Sequence, residues 1–337
     1  MGSSRVSVVR GGDRRANITR ALGLLRVDID RCIARKSSDW LFVKVNAIDT
    51  NFPLAVTSPE ALEAVLDHFY DEFERVIVGD NSFVFSKYPN SNIYTPIKKR
   101  FRRVEFSDLS SFNSKEIKFR CLDGARDARI SLLPEEAFTI SLSVPKTHDY
   151  FVFTGCAKNM VGCVTEGRAW IHGVRFVDRV FPRRVVRSNR LANQNLVAVI
   201  ANARADLNVL DGFVAMEGEG PLYGDGVDLG IAICGEDAVA VDSVAVRVMG
   251  LNNVPYLKFC ERGGLGRMEG VEVVRDGFGR VEEVCRRLRP HRLTPYQQMT
   301  EADPSVPVLD IEYLLGVLRR SYRLRDKAVE LLRSRIP

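Results

Sequence analysis

Short runs of apolar and β-branched residues alternate along this chain with stretches in which apolar residues recur every three or four positions. The first pattern predicts buried β-strands, and the second predicts amphipathic helices. Their alternation is typical of an α/β fold. We therefore predict mixed, largely parallel sheets in two closely joined lobes, with helices on both faces. We assign residues 1–300 to this α/β core, with a cleft shared by the lobes, and residues 301–337 to a C-terminal helical extension.

The clearest unit begins at residues 40–46, whose apolar run predicts a strand with polar residues at its end. Residues 57–60 (Thr-Ser-Pro-Glu) then predict the start of a helix, because they offer a hydroxyl cap, a proline for the first turn and a glutamate for a capping box. Residues 76–78 predict the next strand. A strand, a helix and a strand in this order form a right-handed crossover, so the two strands should be parallel neighbours.

Similar patterns predict further elements on either side of this unit. Predicted strands cover residues 6–9, 117–120, 128–132, 137–144, 207–213 and 229–234. Predicted helices cover residues 17–25, 188–204 and 237–249, the last of them ended by Gly250 as a C-cap. We expect residues 83–103 to form a loop with a helical turn, and residues from 308 onward to form one or two amphipathic helices.

The composition of the chain predicts where the protein resides in the cell and which cofactors it does not bind. The chain has 337 residues, 45% of them hydrophobic, which is enough for a sizeable core. Because no run reaches the ~18–20 apolar residues of a membrane span, and the first residues lack an apolar signal region, we expect a cytoplasmic protein that does not bind membranes. The seven cysteines form no C-x-x-C pair, so we expect free or buried thiols and neither an iron–sulfur cluster nor a zinc ribbon.

The net charge of +6 is modest, but the positive residues gather in three clusters. Such clusters can bind nucleic acid or phosphorylated ligands. A solvated, ion-paired surface is the other interpretation, and we favour it because no known nucleic-acid-binding motif accompanies the arginines. The clusters are Lys98, Lys99, Arg100, Arg102 and Arg103; Arg179, Arg183, Arg184, Arg187 and Arg190; and Arg286, Arg287, Arg289, His291 and Arg292.

Polar side chains stand at the ends of several predicted strands. In open α/β sheets, ligands bind beyond the carboxyl ends of the strands, so these side chains should surround one cleft. They are Lys44 and Asn46 after one strand, Asp80 after the next, Lys146 and His148 after a third, and Asp211, Glu217 and Glu219 at a fourth.

The tripeptide Lys146-Thr147-His148 offers an ammonium and an imidazole on one side of an extended segment. This pair could bind an anionic substrate or perform acid–base chemistry, and His148 could ligate a divalent metal. The alternative is a loop lysine in a surface ion pair and a histidine that caps a helix.

Two further segments carry candidate chemistry. Residues 154–162 are rich in small residues and could place backbone N–H groups near a phosphate or carboxylate, with Lys158 as a point charge and Asn159 as an orienting amide. A tightly packed helix start is the alternative. Glu217 and Glu219 suit divalent-metal binding or general-base work, although a solvated acidic turn has the same composition. Asp242 lies inside an apolar helix, where a carboxylate is costly unless it has a partner.

Seven blocks in a fixed order carry a resemblance to a known family. Each block is short and weakly specific, but seven in the same order are specific. They are residues 43–46 (VKVN), 57–60 (TSPE), 76–82 (VIVGDNS), 144–148 (VPKTH), 157–162 (AKNMVG), 211–212 with 216–221 (DG and MEGEGP), and 238–251 (AVAVDSVAVRVMGL). On these blocks the chain resembles the domain-of-unknown-function 362 family, over roughly residues 6–251.

The resemblance implies an α/β fold, while the chemistry of the family is mostly unassigned. Its members look distantly similar to the nickel-pincer lactate racemases, which hold a cofactor in a cleft between two α/β lobes, and this implies that Lys146 and His148 face a ligand or metal centre. Two departures matter. Val45 replaces the proline of the family's Lys-Pro-Asn block, and the ferredoxin-like module of many members is missing.

Our leading hypothesis is therefore an enzyme, or the remnant of one, that binds a small anionic ligand, with a divalent metal as an optional partner. Lys44, Lys146 and Lys158 would bind the anion, and His148 would be the acid–base group or metal ligand. A non-catalytic scaffold and a nucleic-acid-associated protein are the alternatives. The carboxylates expected to orient the lysines or hold a cation are Asp80, Asp211, Glu217 and Glu219, and Asn46 and Asn159 complete the predicted site.

Overall fold

The computed structural model describes residues 4–81, 92–174 and 182–295. The helices are α1 (Arg14–Gly23), α2 (Arg26–Lys36), α3 (Pro59–Phe69), α4 (Thr95–Arg100), α5 (Leu133–Glu136), α6 (Cys156–Asn159), α7 (Pro182–Asn202), α8 (Ala238–Val248) and α9 (Pro255–Arg262). The strands are β1 (Arg5–Arg10), β2 (Trp40–Val45), β3 (Arg75–Gly79), β4 (Val104–Ser107), β5 (Ser114–Cys121), β6 (Gly124–Ser131), β7 (Phe138–Ser143), β8 (Lys146–His148), β9 (Val152–Thr154), β10 (Val164–Glu166), β11 (Leu207–Glu217), β12 (Asp225–Gly235) and β13 (Glu272–Asp276).

One large sheet organises the fold, with strands in the order β13-β1-β12-β11-β7-β2-β3-β4. Strands β11, β7, β2, β3 and β4 are parallel neighbours, and β12 runs antiparallel between β1 and β11. The hairpin β8–β9 attaches to the end of β11, and β10, β6 and β5 form a separate antiparallel sheet. The predicted α/β class with a mixed, largely parallel sheet is confirmed, and the division into two lobes with a shared cleft stays a prediction.

The crossover from β2 through α3 to β3 has the predicted parallel pairing, with Lys44 opposite Gly79. The cap differs from the prediction. Ser58 is the N-cap residue and accepts the Glu60 N–H, so Glu60 stands too early in the helix to complete a capping box. The Thr57 hydroxyl instead accepts the Asn46 N–H at 2.8 Å and donates to the Leu142 carbonyl at 3.0 Å. Thr57 therefore ties the end of β2 to the end of β7.

Two apolar layers cover the two faces of the large sheet. Helices α1 and α3 pack Ile18, Leu62 and neighbouring residues on the face that carries Val43 and Val45. The opposite face carries Phe42 and packs against the segments around α6, α8 and α9. Because successive side chains of a strand point to opposite faces, Lys44 points to the side of α6.

Several elements were not foreseen from the sequence. Helix α2 is strongly polar and buries only Ile29 and Cys32, so its apolar stripe is too narrow to stand out. Helix α9 and strand β13 were also missed. The described part of the predicted loop 83–103 contains α4, whereas the predicted extension 301–337 lies outside the described residues. Across the described ranges, no helix is long and apolar enough to cross a bilayer.

Candidate functional site

The carboxyl ends of β2 and β3 hold a buried ion pair. Lys44 is near the end of β2, and Asp80 directly follows β3, so the parallel pairing brings both to one edge of the sheet. Lys44 Nζ lies 2.9 Å from Asp80 Oδ1, and the side chains are only 1% and 6% exposed. Asp80 Oδ2 also accepts the Ala47 N–H at 2.9 Å. The Lys44–Asp80 pair is thus fixed on both sides.

Residues 159–162 close over this pair. Asn159 Oδ1 lies 3.3 Å from Lys44 Nζ, and Asn159 Nδ2 donates to the Lys44 carbonyl at 2.9 Å. Gly162 lies directly against the ion pair, since a Cβ at this position would stand 2.0 Å from Asp80 Oδ1 and 2.4 Å from Lys44 Nζ. The Gly162 carbonyl accepts the Asn81 N–H at 3.0 Å. A residue larger than glycine would have to push the pair apart.

Helix α6, which carries Lys158 and Asn159, is held by a carboxylate from far along the chain. Asp242 Oδ1 accepts the Cys156 N–H at 2.7 Å, and Asp242 Oδ2 accepts the Ala157 N–H at 3.0 Å. The carboxylate is fully buried, and burial raises its pKa to about 7 although these hydrogen bonds oppose the rise. Asp242 therefore acts as the N-terminal cap of α6, which has no cap of its own.

Lys146 occupies the first position of β8 and is 1% exposed. Its Nζ donates to the Ala55 carbonyl at 2.6 Å, in the loop that connects β2 to α3. Burial lowers the pKa of Lys146 to about 7, and the neighbouring charges of Lys158 and Lys44 act in the same direction, whereas Asp80 opposes them. Strand β8 thus adds a second lysine that is close enough to the Lys44–Asp80 pair to interact with it electrostatically.

Lys158 is the most accessible of the three lysines. It is partly exposed, and its Nζ stands 5.1 Å from the ring centroid of Phe151. Burial of the ammonium lowers its pKa to about 8, Arg168 and Lys44 lower the pKa further, and Asp149 raises it. Among the described residues, no carboxylate lies within ion-pair distance of Lys146 or Lys158.

We call Lys44, Lys146 and Lys158 the lysine cluster. The charges that act on Lys146 are those of Lys158, Asp80 and Lys44, and the charges that act on Lys158 are those of Asp149, Arg168 and Lys44. Within the described part of the chain, four cations therefore stand against two carboxylates. This arrangement can attract and hold an anion, because positive charge exceeds negative charge around the buried Lys44 and Lys146.

His148 is the last residue of β8, directly before the tight turn to β9. Its Nδ1 accepts the Tyr150 N–H at 2.9 Å and lies 3.3 Å from the Phe151 nitrogen, while Asp149 Oδ1 is 3.1 Å away. Because two backbone N–H groups point at Nδ1, the neutral tautomer with its proton on Nε2 is favoured. In that tautomer His148 carries no charge, so its contact with Asp149 is not an ion pair. Nδ1 of His148 is therefore engaged in the turn.

A metal centre is not favoured by the donors that the structure brings together. Over residues 4–81, 92–174 and 182–295, no group of three histidine, cysteine, aspartate or glutamate side chains is placed to hold an ion. The predicted metal ligand, His148, directs Nδ1 at backbone N–H groups. We therefore derive no chemistry through a metal, including the nickel cofactor that the distant resemblance implies.

Asp211, also expected in the cleft, lies on the other face of the sheet. Its Oδ2 is 3.2 Å from Arg14 Nε of α1, and its Oδ1 accepts the Phe213 N–H at 3.2 Å. Burial raises the pKa of Asp211 to about 6, against the effect of Arg14. Asp211 follows Leu210 in β11, and the alternation of the strand turns it away from α6.

The two glutamates of the acidic loop also bind elsewhere in the chain. Glu217 Oε2 accepts the Arg289 N–H at 2.8 Å, and Glu219 lies 3.1 Å from Arg292 Nη2 and 3.6 Å from His291 Nε2. They anchor residues 289–292 rather than a lysine of the cluster. Asn46 forms the turn after β2, where its Oδ1 accepts the Ile48 N–H at 3.4 Å.

Several described arginines of the basic clusters have anionic partners close by. Arg100 pairs with Asp67, Arg103 lies 3.2 Å from Asp71, and Arg289 pairs with Asp225. Of the middle cluster, Arg179 and the side chains of Arg183, Arg184 and Arg187 lie outside the described part. Arg100, Arg103 and Arg289 are ion-paired, and the choice between a solvated surface and a nucleic-acid-binding one stays a prediction.

The sequence pattern of the family described as Domain of unknown function (DUF362) matches residues 41–247 of this chain. This stretch covers more than half of the chain and contains Lys44, Asp80, Lys146, Lys158 and Asp242. The chain belongs to this family. The family recognised from seven short blocks is thereby confirmed, and most of those blocks supply parts of the lysine cluster and its supports.

Two individual proteins show more limited similarity. Thylakoid-associated protein sll1697 from Synechocystis is 27% identical over 248 residues, which cover 68% of this chain and 70% of that protein. A crystal structure of a Thermotoga maritima protein has 13% sequence identity and a TM-score of 0.40, and the match covers 67% of this chain and 57% of that one.

Sequence reasoning missed two groups that build the site. The Ala55 carbonyl, which holds Lys146, gives no signal because every residue has a carbonyl. Asp242 gave a signal, because a carboxylate inside an apolar helix needs a partner. That partner, the Cys156 N–H, lies 86 residues away in the sequence. Only the packing of α8 against α6 reveals it.

Proposed function

We propose that this protein binds a small anion of the carboxylate or phosphate type at the lysine cluster. The observation that carries the proposal is the imbalance of charge, because Lys146 and Lys158 are placed beside the Lys44–Asp80 pair without a carboxylate of their own in the described residues. A folded chain gains nothing from crowding ammonium groups in a dry region. An anion that enters the cluster would offset the surplus charge.

The lowered pKa values make the site suited to chemistry as well as to binding. An amine with a pKa of about 7 can give or take a proton near neutral pH, which is the property required of a general acid or base. A bound anion would raise the pKa of Lys146 again, so Lys146 would stay protonated and serve as a general acid, and Lys158 and Lys44 would stabilise negative charge developing on the ligand. We therefore propose an enzyme whose reacting group is an anion next to Lys146.

Supports around the cluster are consistent with a site that must keep its shape. Asn159, Gly162 and Asp242 fix the positions of Lys44 and Lys158 through hydrogen bonds and close packing. Such rigid support is what preorganised electrostatic binding needs, because flexible ammonium groups would relax towards water instead of towards the ligand.

The test is calorimetric titration with inorganic phosphate and with acetate, using the wild type, Lys146→Met, Lys158→Met and the control Lys115→Met. Lys115 pairs with Glu135 on the surface. We expect at least tenfold weaker binding for the first two variants and no change for the control. Binding should weaken as the pH rises through 7 to 9, because the lysines lose their protons. Equal affinities for all four proteins would overturn the proposal.

We also propose a reducing compartment, the cytoplasm, as the location. All seven cysteines are free, and six of them are buried. Cell fractionation that finds the protein outside the cytoplasm would contradict this assignment.

A further inference from the structure

Exposed apolar side chains gather beside the lysine cluster. Across the described ranges, five large hydrophobic side chains are exposed, and three of them, Ile48, Leu54 and Tyr223, belong to two loops at the same edge of the sheet. Each of the three is 38–41% exposed. Phe52 packs edge-on against Tyr223, with 5.1 Å between the ring centroids. We call Ile48, Phe52, Leu54 and Tyr223 the apolar rim.

The first loop of the rim is tied directly to the cluster. Leu54 precedes Ala55, and the Ala55 carbonyl accepts a hydrogen bond from Lys146 Nζ at 2.6 Å. The loop begins right after β2, which carries Lys44. The solvent-exposed Leu54 is therefore the immediate chain neighbour of Ala55, whose carbonyl holds the buried ammonium of Lys146.

The second loop is fixed to the residue that follows Lys146. Thr147 Oγ1 donates to the Gly218 carbonyl at 2.9 Å, and Gly220 packs so closely that a Cβ there would lie 2.0 Å from the Thr147 carbonyl oxygen. Tyr223 follows three residues later, and Leu54 lies next to Gly226 at the start of β12, directly after this loop. Both loops of the rim are thus held in place by β8 or its contacts.

We propose that the ligand of the lysine cluster is a carboxylate with an apolar body, its charged end bound by Lys146 and Lys158 and its body lying on the apolar rim. This inference rests on the proposed function above and specifies its ligand. The rim side chains carry no charge, and a heavily hydroxylated ligand such as a sugar phosphate would lose water against Ile48 and Leu54 without finding hydrogen bonds there.

The size of the effect follows from burial of apolar area. Each methylene group transferred from water to the rim should strengthen binding by about fourfold. Octanoate should therefore bind at least tenfold more tightly than acetate, even if only a part of its chain touches the rim.

The experiment measures acetate and octanoate binding by calorimetry at pH 6.5, where Lys146 is largely protonated. The variants are the rim double variant Leu54→Ser/Tyr223→Ser, the cluster variant Lys146→Met, and the control Leu122→Ser, which changes another exposed leucine, located at the turn between β5 and β6. We expect the rim variant to lose about tenfold in octanoate affinity and nothing in acetate affinity. Lys146→Met should weaken both ligands, and Leu122→Ser neither. Circular dichroism confirms that each variant is folded.

The outcomes separate the two proposals. If acetate and octanoate bind equally and both depend on Lys146, the anion site stands and the apolar ligand is wrong. If octanoate binds Lys146→Met as well as the wild type, the rim acts without the lysines, which also overturns this inference. If neither carboxylate nor phosphate binds, the proposed function fails. Flotation with phosphatidylglycerol vesicles that depends on Leu54 and Tyr223, without binding of free octanoate, would replace the soluble ligand by a membrane surface.

Discussion

Two ion pairs of the described residues, Lys44–Asp80 and Arg14–Asp211, lie on opposite faces of the large sheet, and they differ in what surrounds them. Arg14 lies 3.2 Å from Asp211 and 2.8 Å from Glu60, so that this region has at least as many carboxylates as cations. The Lys44–Asp80 pair is accompanied instead by two further lysines. Burial alone therefore does not mark a functional site. We base the proposed site on the unbalanced charge of one face, because a stable fold by itself would avoid such an imbalance.

Lys44→Met should give the largest loss of stability. The substitution leaves the buried Asp80 carboxylate without its partner, which costs about 3–5 kcal/mol of the free energy of unfolding. Urea denaturation measures this loss. The control Lys115→Met breaks an exposed pair and should cost less than about 0.5 kcal/mol. A Lys44→Met protein as stable as the wild type would contradict the view that the pair is dry and tight.

Asp242→Ala should come second, with a loss of about 2–4 kcal/mol, because two buried N–H groups at the start of α6 lose their acceptor. It should also weaken phosphate binding, since Lys158 and Asn159 lie on that helix. The matched control is Asp237→Ala, which removes the cap of α8 itself. We expect Asp237→Ala to destabilise the fold while leaving phosphate affinity intact, and a loss of affinity in both variants would argue against a specific role for Asp242.

Lys146→Met should act in the opposite direction on stability. The pKa of Lys146 in the folded chain, about 7, is below its ordinary value of 10.5, so the unfolded chain binds more protons between these limits and stability rises with pH across them. Removing the amine should stabilise the fold by about 2–3 kcal/mol at pH 6, and the difference should shrink above pH 7. Thermal unfolding at several pH values tests this; a variant that is destabilised at pH 6 would show that Lys146 is structural.

Asp211→Asn should have the smallest effect and an inverse dependence on pH. The pKa of Asp211 is raised to about 6 from 3.8, so the folded chain binds more protons between these values and stability falls as the pH rises through them. The variant should lack this decline, which we expect to be about 1–2 kcal/mol. Asp225→Asn, on the exposed surface, should keep the wild-type slope. Phosphate affinity should be unchanged, because Asp211 belongs to the balanced face.

The parts of the fold that were predictable share a local cause. The strand–helix–strand unit at residues 40–79 was readable because Ser58, Pro59 and the apolar periodicity all act within a few residues. The meeting of Lys44 and Asp80 followed from the rule that parallel neighbours end at one edge of the sheet. Local sequence pattern and sheet topology together were sufficient to predict that Lys44 and Asp80 lie close to each other.

The remaining parts depend on contacts that no local pattern encodes. Asp211 was expected beside the lysines, but it follows Leu210 in β11 and therefore points to the opposite face of the sheet, and sequence alone does not fix which of two successive side chains faces the cluster. Glu217 and Glu219 bind Arg289 and Arg292, whose chain segment is some 70 residues away. Helix α2 showed too narrow an apolar stripe to be recognised.

The cap that Asp242 places on α6 has a genetic consequence. A four-residue helix is too short to hold its orientation by itself, so the position of Lys158 is set by α8. In a screen for variants that fold but no longer retain the anion, substitutions should therefore appear in three separate stretches of the gene: around codon 44, between codons 146 and 162, and around codon 242. A map of such variants drawn along the gene would look scattered, although in space it would describe a single site.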